Sequence, residues 1–343
     1  MLKRARWIHN PVADLALALC WVPFAVAAHY TQADRSTIAL VLSATFLLSF
    51  AHQPLTLPIV YGDPAERAAR RRTYTWMPVL FLTAAVVGLA VSVPVVAVVA
   101  GLWNAEHTLM QRFGITRIYG RKAGESAPID GRVDRLMLIS WLVLAATAAA
   151  ASAGTERRIL GLPLGEVNRS GLRILASLRG VAVWLLPLAI AAAVVCTARW
   201  VAREARNYRA GAANPAKWLY AGATATLIAV MIVDPVAGFV GYVGAHAVEY
   251  FVIVHRSLDS RWAAEGTGGA VGELVRRPGG RTRFMATYAV AIVAFTGGLL
   301  WLGNHRLYMV AVISLGGLHI LYDGFVWKLR KPAVAGALVG APA

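Results

Sequence analysis

Apolar residues fall into ten runs of membrane-crossing length, near 12–30, 36–60, 77–92, 94–112, 135–153, 179–198, 216–234, 235–255, 284–303 and 307–327, with polar residues concentrated between them. A bilayer core takes about 20 apolar residues of helix, and a backbone in hydrocarbon must close its own hydrogen bonds. The pattern predicts an all-α, polytopic integral membrane helical bundle: a single transmembrane domain over 1–343 with about ten transmembrane helices. Two junctions, VSVPVV at Pro94 and IVDPVA at Pro235, leave no room for a loop. Proline disfavours helix in the residue before it and starts the next helix well, so each junction predicts a hairpin turn.

Most of the 34 Lys and Arg residues lie before the first span, after the even-numbered spans, and in the C-terminal tail. Cytoplasmic loops are enriched in these residues, which predicts N-in, C-in. The segment 154–178, GTERRILGLPLGEVNRSGLRILASL, is then an outer loop containing an interfacial helix. Its arginines are the main exception to the charge rule. The inner loops RIYGRKAGESAPIDGRVDR and RSLDSRWAAEGTGGAVGELVRRPGGR are polar and rich in glycine, and mobility is expected of both. The start, MLKRARWIHNPVAD, lacks a small-residue cleavage site, so its apolar run reads as a retained span.

Composition agrees: 58% of the 343 residues are hydrophobic and 15% charged, against roughly a quarter charged in soluble domains. The net charge of +17 follows the loops rather than one stripe, which implies no nucleic-acid partner. Cys20 and Cys196 lie alone in separate apolar runs and carry neither metal spacing nor a disulfide framework.

Candidate chemistry rests on the histidines. His9, His29 and His305 fall at span ends or in loops. His52, His107, His246 and His319 lie on the second, fourth, eighth and tenth spans, all running outside to inside. They stand nine to eleven residues before the polar boundaries at Gly62-Asp63, Arg117, Arg256 and Lys328. That is about 13–15 Å of helix, so the four share one depth. Arg112 interrupts the count after His107, and a long side chain can reach the interface.

Ionisable groups inside spans face the bundle interior and pair, and neutral imidazole ligates iron, zinc and copper. A metal held by these four is therefore one way to satisfy them; isolated helix-to-helix hydrogen bonds are the other. Glu249, three after His246, and Asp323, four after His319, share a helix face with their histidines. Glu106 adjoins His107 about 100° round the helix. The three carboxylates are candidates either to orient the imidazoles or to ligate. Asn104 and Gln53 are further polar candidates in the layer. His255, two and a half turns beyond His246, belongs at the interface. Tyr61, Tyr250 and Tyr322 read as interfacial or packing aromatics, and Gly241, Gly244, Gly316 and Gly317 as sites of close helix packing.

About ten spans with single histidines scattered over several of them resemble the Brp/Blh family of membrane carotenoid-cleaving dioxygenases. The residues that carry the resemblance are His52, His107, His246 and His319. Where that family has Pro-His-Gly around its first histidine, this chain reads FAHQPLTLP. The resemblance implies a non-haem iron held by four histidines and a polyene substrate entering from the bilayer. EHTLMQRFGITRIYG and LHILYDGFVWKLRKP are also similar to segments of bacterial polytopic membrane proteins, which implies the bacterial plasma (inner) membrane. The expected function is an iron-dependent membrane oxygenase acting on a hydrophobic small molecule or lipid, with a soluble redox partner at the cytoplasmic face. Zinc, copper or haem could take iron's place. Two other classes use the same residues: a proton- or cation-coupled transporter and a b-type haem electron carrier.

Overall fold

The computed structural model describes residues 5–125, 127–152, 173–174, 176–262, 265–329 and 332–339. Every regular element among them is helical. Ten are long and apolar enough to cross a membrane, which makes the chain an all-α, multi-pass membrane protein. Most of 154–178, including the expected interfacial helix, lies outside the described residues.

The first span is two helices, α1 (Pro11–Leu19) and α2 (Val22–Thr31). Pro23 sits in the first turn of α2, where its missing N–H costs no intrahelical bond. The second span also breaks: α3 (Arg35–His52) passes through a 3-10 turn, Gln53–Leu55, into α4 (Thr56–Tyr61). Then come α5 (Pro64–Ala69), α6 (Arg71–Val91), α7 (Val93–Lys122), α8 (Pro128–Ala151), α9 (Arg179–Arg209), α10 (Pro215–Val233) and α11 (Pro235–Arg261). The chain continues through α12 (Gly269–Arg276), α13 (Gly280–Trp301), α14 (His305–Val326) and α15 (Pro332–Leu338).

Several helices outrun their apolar stretches. Helix α7 continues about ten residues beyond 112, α8 starts seven residues before 135, and α9 continues past 198 to Arg209. Backbone bonding does not stop where side-chain hydropathy does, and water accepts the polar turns. The first loop expected to be mobile is therefore nearly all helix, with only 123–127 between α7 and α8. The second contains α12.

The chain divides into two compact units. The first consists mainly of Ala105–Val248 with the chain up to Thr45. There α8 packs on α9 and α10, and α1 on α10, around Leu109, Met137, Leu138 and Ile228. Gly244 admits the Phe24 ring, which would lie 2.5 Å from an added Cβ. His29 Nδ1 meets Asp234 at 2.7 Å. Burial alone would raise the Asp234 carboxyl, but bonds from His29, the Ala237 N–H and Gln32 outweigh it and hold the group below its usual range.

Asn214 caps α10 and ties down the N-terminal segment. Its Oδ1 accepts from the Arg6 and Ala216 N–H groups at 3.0 and 3.2 Å, while Nδ2 donates to the Arg6 and Tyr119 carbonyls at 3.0 and 2.9 Å. Asn214→Ala is expected to cost about 2 kcal/mol, a lost cap plus buried carbonyls left unpaired. Thermal unfolding of the detergent-solubilised protein checks this; an unchanged transition would contradict it.

The first unit also buries a charge network at the helix ends on the expected cytoplasmic side. Lys217 Nζ, fully buried, contacts Glu125 at 2.9 Å, Asp134 at 3.0 Å and Glu204 at 2.7 Å. Arg117 reaches Glu125 and Asp134 at 2.6 and 2.7 Å, and Arg203 reaches Asp130 at 2.9 Å and Glu125 at 3.3 Å. Trp200 and Trp218 donate to Asp134 and Glu204 at 2.9 and 2.7 Å.

The second unit is formed from Phe46–Asn104 and Glu249–Ala341. Helix α14 packs against α6, α4 and the 3-10 turn, and α12 against α13. Gly317 lets α14 meet α6, because an added Cβ there would stand 2.5 Å from the Phe81 ring. Where α4 gives way to α5, Asp63 accepts from Trp262 Nε1 at 2.9 Å, and Glu66 accepts from Tyr74 at 2.8 Å and pairs with Arg70 at 3.0 Å.

Candidate metal centre

In the second unit the helix break after α3 brings His52 to α14. Pro54 removes an amide and shifts the chain into the 3-10 turn, which leaves His52 as the last residue of α3. Its ring meets that of His319 edge to face, 4.7 Å between centroids, and both are buried. Each offers a nitrogen within 4.8 Å of the other, a spacing a single ion can bridge.

Around His319 the polar groups form one network. Thr56 Oγ1 lies 2.9 Å from His319 Nδ1, 3.0 Å from Asp323 Oδ1 and 2.6 Å from the Tyr250 hydroxyl. Tyr250 O–H also donates to Asp323 Oδ1 at 3.0 Å, and Trp327 Nε1 donates to the same oxygen at 3.2 Å. A carboxylate only accepts, so Oδ1 collects three donors. The four-residue helical spacing sets Asp323 Oδ2 at 3.6 Å from His319 Nε2. Outer contacts of this kind fix tautomer and ring orientation in histidine metal sites. The donor set of two imidazoles and one oriented carboxylate suits iron, and zinc as well.

In the first unit, His107 on α7 and His246 on α11 form a second edge-to-face pair, 5.0 Å between centroids, both buried. Two bonds tie these helices in register: Gln111 Nε2 donates to the His246 carbonyl at 3.0 Å, and Tyr242 O–H to the Ala105 carbonyl at 2.8 Å. Each unit thus brings two of the four candidate histidines together.

The carboxylates differ. Asp323 sits in the network. Glu249 is fully buried, one turn beyond His246 on α11. Glu106 turns to the half-exposed side of α7, where Arg135 stands 3.7 Å away. The 100° offset between neighbouring helical residues decides this. Gln53 packs beside Gly316. Tyr61 and Tyr322 share a hydrogen bond of 2.8 Å in an aromatic cluster with Tyr74. Tyr250, expected to be a packing aromatic, is instead a polar member of the His319 network. Thr56 is new to the site. Its one sequence signal is its place four residues after His52, ambiguous for a threonine in an apolar run.

The fold and these residues define a class: a multi-pass, all-α membrane protein with paired, buried histidines that could hold a metal. Set against protein-family models, curated proteins and solved structures, the chain gives no match.

Proposed function

We propose that this is a metal-dependent membrane oxidoreductase, with non-haem iron as the metal and a hydrophobic, lipid- or polyene-like molecule dissolved in the bilayer as substrate. The observation that carries the reading is the hydrogen-bonded group of Thr56, Tyr250 and Asp323 about His319, next to His52. An intramembrane polar group is expensive, and here five side chains converge, with imidazole nitrogens and a carboxylate oxygen among them. In this reading His52 and His319 are ligands in one unit and His107 and His246 in the other, and Asp323 ligates or orients. Iron, when bound, would supply the one-electron chemistry with dioxygen that an unactivated hydrocarbon requires. The chain's own residues hold the imidazole tautomers and exclude water. The proposed setting is the bacterial inner membrane, with electrons delivered from the cytoplasmic side.

The test is elemental analysis of the purified, full-length protein together with its absorption spectrum. Near-stoichiometric iron without a Soret band is expected. A protein that contains no transition metal and takes up no added ferrous ion overturns the reading, and a Soret band replaces it with haem.

A further inference from the structure

Two prolines interrupt the second span just after His52. Pro54 and Pro58 have no amide N–H, so the carbonyls four residues before each lose the donor that a regular helix supplies. The chain runs through the 3-10 turn Gln53–Leu55 instead. Hydrocarbon offers no water to a backbone whose ladder is broken, and such breaks are tolerated in a spanning helix where a neighbour makes up the bonding. Helix α13 does this in the second unit: the Tyr288 hydroxyl donates to the carbonyl of Ala51, the residue before His52 and 237 positions away in the chain. Tyr288 is itself held by packing. It lies against the apolar cluster of Phe50, Ile292 and Leu299 and against that of Leu55 and Leu318, which fix the span before and after the interruption.

We infer that Tyr288 is a positioning residue for the candidate metal centre: its hydroxyl holds the interrupted span in the form that presents His52 to His319. The Ala51 carbonyl belongs to the peptide group that ends at the His52 nitrogen, and that group is planar. Anchoring its oxygen therefore sets the direction in which the His52 Cα, and with it the imidazole, leaves the helix. His52 is the last residue of α3, so the turn that follows gives it less support than a continuing helix would. The contact with His319, 4.7 Å between ring centroids, depends on that direction. The consequence for metal binding rests on the reading of His52 as a ligand, whereas the consequence for the backbone does not.

Tyr288→Phe removes the hydroxyl and keeps the ring. Tyr308→Phe is the control, because it trims a hydroxyl from the same cluster, 5.9 Å from Phe50 between ring centroids, without touching the Ala51 carbonyl. Full-length protein of each form, in detergent, is compared by amide hydrogen exchange over residues 48–60 without metal, and by anaerobic titration with ferrous ion. Tyr288→Phe should exchange roughly tenfold faster across 52–57, as loss of a donor to a buried carbonyl implies, and bind ferrous ion roughly tenfold more weakly. Tyr308→Phe should match the wild type in both. Exchange that is unchanged in Tyr288→Phe, or raised equally in Tyr308→Phe, overturns the role of the hydroxyl. Faster exchange with undiminished ferrous affinity overturns the positioning of His52. A wild type that takes up no ferrous ion fails the metal reading, and the exchange comparison then decides by itself whether Tyr288 holds the break.

Discussion

Lys217→Ala is expected to destabilise the protein by about 3–5 kcal/mol, the cost of leaving buried charges without their partner. The ammonium is fully buried and lies within 3.0 Å of Glu125, Asp134 and Glu204. Its removal leaves three buried carboxylates to be shared by Arg117 and Arg203. They can then stay ionised at a high desolvation cost or take up a proton. The loss should be nearly insensitive to added salt, because buried pairs are screened much less than exposed ones. Lys217→Met tests the origin of the effect: it keeps the apolar stem and removes only the charge, so it should be nearly as damaging as alanine. Unfolding curves in detergent with and without salt provide the measurement. A Lys217→Met protein as stable as the wild type would show that the network contributes little.

The second large effect is expected at His319. His319→Ala should abolish metal retention by its pair, whereas Thr56→Val should leave a folded protein that binds metal 10–100-fold more weakly, the usual consequence of losing a contact that orients a ligand. Thr56 Oγ1 lies 2.9 Å from Nδ1, and valine keeps the shape but offers no hydrogen-bond partner. The ring then loses a contact that holds its orientation. Asp323→Asn should resemble Thr56→Val if the carboxylate only orients, and His319→Ala if Oδ2 also ligates. Ferrous titrations of the three variants separate these outcomes. Undiminished metal uptake by His319→Ala would remove that histidine from the site.

The inner ends of the helices show where hydropathy misled. Arg117, Arg203 and Lys217 count in the sequence as cytoplasmic charges facing water. In the structure they are buried against Glu125, Asp134 and Glu204: extensions of α7, α8 and α9 beyond the apolar runs carry Arg117, Asp134, Arg203 and Glu204, and Lys217 comes from the first turn of α10. Charge counting treats each residue singly, whereas burial depends on which helix end faces which. The His319 network was half legible. His319 and Asp323 are four apart, and helical geometry alone places them on one face. Thr56 and Tyr250 come from other helices and carry no period linking them to His319.

The sequence by itself determined the all-α class, the ten spans and the pairing of His319 with Asp323. These follow from one-dimensional quantities: run length against bilayer thickness, and 3.6 residues per turn. Only the tertiary structure decided which histidines meet within a unit, that Glu106 turns to Arg135, and that the inner-end charges form a closed network. Contacts between helices distant in the chain depend on packing angle and rotation about each axis. Those are set by fits such as Gly317 against Phe81 and Gly244 against Phe24, which no single run of residues encodes.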